Sequence, residues 1–173
     1  MSDDRPAQKT VAASRVQLSL LMQPEHANYH GNVHGGWIMK LVDEAGALAC
    51  IRHSQRRVVT VAIDQMSFQH PIRIGDLVIL KSEVSYVGTT SMETEVNVYA
   101  ENPRTGEQWH TNRAFVVYVC IDDEGKPSPV PGLIAENDFQ AERMAAGVER
   151  QAYRKEQARR HAERIAEAEP HNE

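Results

Sequence analysis

The sequence predicts an α+β domain in which a strongly bent antiparallel sheet of about five strands wraps one long central helix, with a helical extension at the C-terminus. Three observations predict it: one early run of helical period, strand-like runs on both sides of that run, and a charge-rich C-terminal stretch of helical composition. At 173 residues the chain fits one ordinary domain plus an appendage.

Residues 1 to 13 are polar and read as a disordered lead-in, and the folded domain is expected over residues 14 to 121. In RVQLSLLM, Val16, Leu18, Leu20 and Met22 alternate with more polar neighbours, as a half-buried strand requires. From Gly35 the period changes. Ile38, Leu41, Val42, Ala45, Leu48, Ala49 and Arg52 fall at helical spacing, which predicts a mostly buried helix running to about His53. Four strand-like runs follow, RVVTVAIDQMSF, DLVILKSEVSYV, SMETEVNVYAE and WHTNRAFVVYVCI, separated by three tight connections and read as a four-strand meander. In the third run Met92, Val96 and Val98 are apolar while Glu93, Glu95 and Asn97 are polar, giving one wet face. AFVVYVCI is apolar throughout, the mark of a central strand covered on both faces.

The segment DDEGKPSPVPG makes residues 122 to 137 a linker with polyproline character. Residues 138 to 173 form a charged tail, helical over 138 to 168, in which Phe139, Met144, Val148, Tyr153 and Ile165 are too sparse for a heptad seam. A mostly solvated helix docked by its first turns is expected, and a chain ending at Gly132 should stay soluble and active. With 19 Lys and Arg against 24 Asp and Glu the net charge is -5, which disfavours a nucleic-acid partner. The N-terminus lacks the basic start and apolar stretch of a signal peptide, and AFVVYVCI is too short to span a bilayer. No membrane partner and a cytoplasmic location are expected. Cys50 and Cys120 stand in apolar contexts without CxxC spacing and read as reduced core thiols.

The stretch YHGNVHGGWIMKLVDEAGALACIRH concentrates the chemistry. His26, His30 and His34 are spaced for one helical face, but Gly31, Gly35 and Gly36 interrupt the segment, so no metal site is expected. The stretch matches neither GxGxxG nor GxxxxGK[ST]. The first-turn N–H groups at Gly35 and Gly36 still lie at the positive end of the helix dipole, where a carbonyl oxygen gaining charge is stabilised. Asp43, two turns into the helix among apolar residues, either faces a cleft or sits on the solvated side beside Lys40 and Glu44. Donor N–H groups, an Asn that orients substrate or water at Asn32, and a carboxylate are the parts for acyl transfer without a Ser/His pair.

GNVHGGWIMKLVDEAGALACIRH, followed by VVTVAIDQMSFQHPIRIGD and VGTTSMETEVNV, resembles the hotdog-fold acyl-CoA thioesterases, in particular the cytosolic acyl-CoA hydrolase group, over roughly residues 14 to 130. The resemblance implies the bent sheet around one helix and hydrolysis of acyl-CoA to a free acid and CoA. It places the family's acid on Asp43, as general base or nucleophile, its Asn on Asn32 and its carbonyl-polarising N–H on the Gly35-Gly36 turn. It also implies a dimer whose sites are shared between subunits, a trimer of such dimers (a hexamer), and no cofactor, since coenzyme A is part of the substrate. Thr89, Thr90 and Ser91 in VGTTSM, with Arg57, are expected near the CoA moiety, although the loop alone also reads as a polar hairpin turn. Asp64 reads as structural. Two rival functions stay open: a hotdog acyl-thioester dehydratase using His34, and a non-catalytic acyl-CoA-binding regulatory module. The tail lies outside the resemblance.

Overall fold

The structure, a computed structural model, describes residues 6–64, 66 and 68–168, so residues 1–5 of the lead-in and 169–173 of the tail lie outside the described residues. In chain order the elements are β1 (Lys9–Thr10), β2 (Val16–Leu21), α1 (Gly35–Ser54), β3 (Arg57–Ile63), β4 (Leu77–Val87), β5 (Ser91–Glu101), β6 (Gln108–Ile121), β7 (Leu133–Ile134) and α2 (Asp138–Ala168). Among the described residues, five strands form an antiparallel sheet in the order β2-β4-β5-β6-β3, and β1 pairs with β7 in parallel.

Helix α1 starts where the His34 side chain accepts the Gly36 N–H, and it ends where Gln55 turns left-handed and returns its own N–H to Ile51. Its stripe of Ile38, Leu41, Val42, Ala45 and Ala49 is buried against Val78, Leu80, Met92, Val96, Val98, Val116 and Tyr118 on the concave face of the sheet. At about 1.5–3 kcal/mol per large apolar side chain buried, this contact outweighs any intrinsic helix propensity and holds α1 in the sheet's curve.

Strand pairing departs from the expected meander. Only β4, β5 and β6 follow one another as neighbours; β3 pairs with β6, and residues 64 to 76 carry the chain across the fold to β4. That connection is long, not tight. AFVVYVCI lies in β6, flanked on both sides, but β5 is the middle strand. The lead-in is ordered from β1 onward, with Val11 buried and Ser14 bonded to Val84. The Pro-rich linker is packed: Val130 and Leu133 are buried, and Ser128 and Val130 bond to Cys120 and Thr89.

The largest correction concerns the wet face of β5. Glu93 is 1% exposed and Glu95 6%, because α2 lies across them. Asn137 and Gln140 form a reciprocal cap that starts α2, Asn137 Oδ1 accepting from Gln140 N–H and Gln140 Oε1 from Glu136 N–H. Gly147 then lets the helix ride on Tyr86, since a Cβ there would fall 2.6 Å from that of Tyr86. Arg143 pairs with Glu83 and Glu95, while Arg150 and Arg154 both reach Glu93 at 2.7 Å. Arg154 also holds Asp64 at 2.6 Å, and the Arg150 guanidinium covers the Phe115 ring at 3.8 Å. The helix is docked as far as Arg154 and solvated beyond it.

Candidate active site

Asp43 is turned away from its charged neighbours. Lys40 and Glu44 pair with each other on the solvent side, 2.5 Å apart, while the half-buried Asp43 carboxylate points at the sheet. Its Oδ1 accepts from Thr60 Oγ1 at 2.7 Å and lies 3.2 Å from the Tyr118 hydroxyl; among the described residues none donates to Oδ2. Thr60 stands on β3, an end strand of the sheet, beside a bulge between Thr60 and Ala62 that shifts its register against β6. Such bulges re-aim side chains. One carboxylate oxygen is therefore tied down and the other is presented.

The N-terminal end of α1 forms a separate cleft of about 350 Å³, lined by Asn28, Asn32, Val33, Gly35, Ile38 and Phe68. Gly36 does not serve it as expected, because its N–H is already given to His34 Nδ1 at 2.9 Å. The Gly35 N–H has no acceptor among the described residues and remains available to a carbonyl oxygen. Asn32 lines the cleft, but no described group orients its side chain. Asn28, which sequence reasoning passed over, is oriented: its Oδ1 accepts the N–H groups of His30 and Asn32 at 2.9 and 3.2 Å. Two backbone donors fix that oxygen and leave the amide NH2 as a donor with no described partner. The signal was present in the Asn-x-x-Gly spacing, since an Asn bonding to backbone two residues on is a turn former.

The three histidines go separate ways. His26 is buried edge-on to Trp37 with ring centroids 4.7 Å apart, His30 lies against Tyr29, and His34 caps α1. As a cap, His34 has its Nδ1 occupied, and among the described residues no carboxylate pairs with it. Arg57 and the VGTTSM loop share one end of the sheet, since Arg57 pairs with Ile121 and Ser91 with Val119 on the strand between them. Arg57 is held by the Asp122 carbonyl and Asp123, and the Thr89 and Thr90 carbonyls accept from Val130 and Cys120. This leaves the hydroxyls of Thr89 and Thr90 without a described acceptor.

Within one chain the two groups stand well apart. Eight residues of helix separate Gly35 from Asp43, roughly 12 Å along the axis at about 1.5 Å per residue.

A family model described as the thioesterase superfamily matches residues 30–107. An uncharacterised acyl-CoA thioester hydrolase of Bacillus subtilis is 33% identical over 165 residues, covering 95% of each chain. The cytosolic acyl coenzyme A thioester hydrolase of Mus musculus is 33% identical over 160 residues, 91% of this chain but 42% of that protein, so the chain spans less than half the length of that relative. Among solved structures, the acyl-CoA hydrolase of Staphylococcus aureus in complex with butyryl coenzyme A, coenzyme A and coenzyme A disulfide has a TM-score of 0.82 at 30% identity, covering 92% of this chain and 99% of its own. A thioesterase solved as an apo hexamer has a TM-score of 0.84 at 32% identity over 88% of this chain and 98% of its own. The S. aureus hydrolase has also been solved with an Asp, an Asn and a Thr each replaced by Ala, the Asn fifteen residues before the Asp and the Thr seventeen after it. Asn28, Asp43 and Thr60 repeat both intervals here, and Asn32 does not.

Proposed function

The chain belongs to the thioesterase superfamily, with the hotdog fold, and from that premise we propose that it hydrolyses acyl-CoA to a free carboxylic acid and CoA at a site shared between two subunits. The observation that carries this reading is the presentation of Asp43 Oδ2 at a sheet edge while Oδ1 is tied by Thr60. Asp43 takes a proton from a water whose oxygen attacks the thioester carbon. The Asn28 amide and the Gly35 N–H of the other subunit donate to the carbonyl oxygen as it gains charge. The C–S bond then breaks, and the CoA sulfur leaves with the proton that Asp43 had taken. Asn28 replaces Asn32 in this scheme because its amide is already oriented. The hydroxyls of Thr89, Thr90 and Ser91 and the Arg57 cation serve the CoA moiety from the same end of the sheet. No cofactor is required beyond the CoA of the substrate.

Sharing is supported by the separation along α1 and by the edge of β3, which among the described residues pairs only with β6 and exposes Val59, Val61 and Ile63. Joining two β3 edges about a two-fold axis brings one subunit's cleft toward its partner's carboxylate. Three such dimers make the hexamer.

The test is complementation. Asn28→Ala and Asp43→Asn chains, each nearly inactive alone, are co-expressed under separate tags. In a mixed dimer one site collects both defects and the other collects none. With random pairing about half of the dimers are mixed, so roughly a quarter of wild-type activity per subunit is expected to return. Verified mixing without recovery rejects the shared site. The same outcome for Asn32→Ala, with Asn28→Ala fully active, would return the amide's role to Asn32.

A further inference from the structure

We infer that Tyr118, on β6, is a positioning residue for this reaction: its hydroxyl locks both the backbone and the carboxylate of Asp43, so that Oδ2 alone is offered to water. The inference rests on the thioesterase reading above and deepens it. The phenol oxygen lies 2.8 Å from the Asp43 carbonyl oxygen and 3.2 Å from Oδ1, and the Ala47 N–H donates to it. Asp43 and Ala47 are one turn apart on α1, so the hydroxyl meets the helix backbone at both positions. Room for it comes from Gly46. A Cβ there would fall 2.4 Å from the Tyr118 oxygen and 2.8 Å from Thr94 Oγ1.

The arrangement costs burial of a polar group that an apolar residue would avoid. Tyr118 is 0% exposed, in a strand whose inward neighbours are Ala114, Val116 and Cys120. A Phe at this place would fill the same volume with no hydroxyl to satisfy. What the hydroxyl supplies is a second hold on Asp43, from β6, beside that of Thr60 on β3. Burial, and then the adjacent Asp43 charge, push the phenol's pKa well above its ordinary value, so at neutral pH it is a proton donor. The groups facing Asp43 are Thr60 from β3 and Tyr118 from β6, while Lys40 and Glu44 on its own helix are engaged with each other.

The test is a double-mutant cycle in the full-length protein, with Tyr118→Phe made alone and in the Asp43→Asn background, and Gly46→Ala as a second variant that displaces the phenol instead of removing it. Alone, Tyr118→Phe is expected to lower kcat about tenfold with KM within twofold of wild type. In the Asp43→Asn background it should change the residual rate by less than twofold, because nothing reactive is left to position. Gly46→Ala, where soluble, should show the same split between kcat and KM. A purely structural role would lower the rate equally in both backgrounds, and that result overturns the inference, as does a wild-type kcat in Tyr118→Phe. If the wild-type protein hydrolyses no acyl-CoA from acetyl to palmitoyl, the thioesterase reading fails and takes this inference with it.

Discussion

Asp43→Asn is expected to keep the fold and the affinity for acyl-CoA while losing about 10²-fold or more in kcat, the scale on which a general base is lost. The substitution is nearly isosteric. Its amide oxygen can still accept from Thr60 Oγ1, so α1 keeps its seat on β3. The amide nitrogen then occupies the place of Oδ2, and an amide cannot take a proton from water. Binding should be unaffected, because the donors assigned to the thioester oxygen belong to Asn28 and Gly35, at the far end of the helix. Release of CoA followed with a thiol reagent gives kcat, and calorimetry with acyl-CoA, on a variant too slow to consume it, gives affinity. A variant that turns over like wild type would reject Asp43 as the group that activates water. A variant that turns over slowly only because KM has risen would make Asp43 a binding residue.

Helix α1 was legible because its period persists for five turns, but the stripe alone left Asp43 equally a cleft-facing or a solvated carboxylate, and only its company with Asn32 and the Gly35-Gly36 turn, and the family resemblance, singled it out. Pairing of β3 with β6 was not legible. Local alternation predicts strands but carries no information on which neighbours they choose when the connection is long. Glu93 illustrates a second limit. An alternating carboxylate is the same pattern whether water or arginines lie opposite, and the arginines were themselves read as a solvated face. Asn28 and Asn32 show a third, for they flank the same Gly31 turn, three residues before the glycine and one after it, and the folded backbone shows which amide is fixed. Tyr118 was hidden for the opposite reason: within AFVVYVCI it reads as one more apolar core residue, and its hydroxyl acquires meaning only against Gly46 on another element.

The second large effect expected is structural. Replacing both Arg150 and Arg154 by Met should destabilise the protein by about 3–5 kcal/mol, the usual cost of leaving one partner of a buried ion pair alone, and lower Tm by roughly 10 °C for a chain of this size. Glu93 is the reason. Its side chain is 0% exposed and accepts from Ser85, Arg150 and Arg154. Burial pushes its pKa up, but the bonds from Arg150, Ser85 and Arg154 outweigh burial and hold it below the ordinary carboxylate value. A folded pKa below the unfolded one means that the network stabilises the fold above the ordinary carboxylate range. That contribution is lost as pH falls through the lowered value. In the Met variant the acid sensitivity should therefore weaken along with the stability at neutral pH. Adding Glu93→Gln should restore most of the loss, because a neutral amide bonded to Ser85 is far cheaper to bury than an unpaired charge. A chain ending at Ala135, which keeps β7 and removes α2, distinguishes this account from simple loss of cover. There Glu93 returns to water, so Glu93→Gln should bring no gain, while exposure of Tyr86 and Phe115 lowers stability below wild type. Thermal unfolding of the two backgrounds with and without Glu93→Gln decides the matter. Rescue in the truncated chain, or its absence in the Met variant, would show that α2 holds the sheet by covering apolar surface and not by cancelling the charge of Glu93.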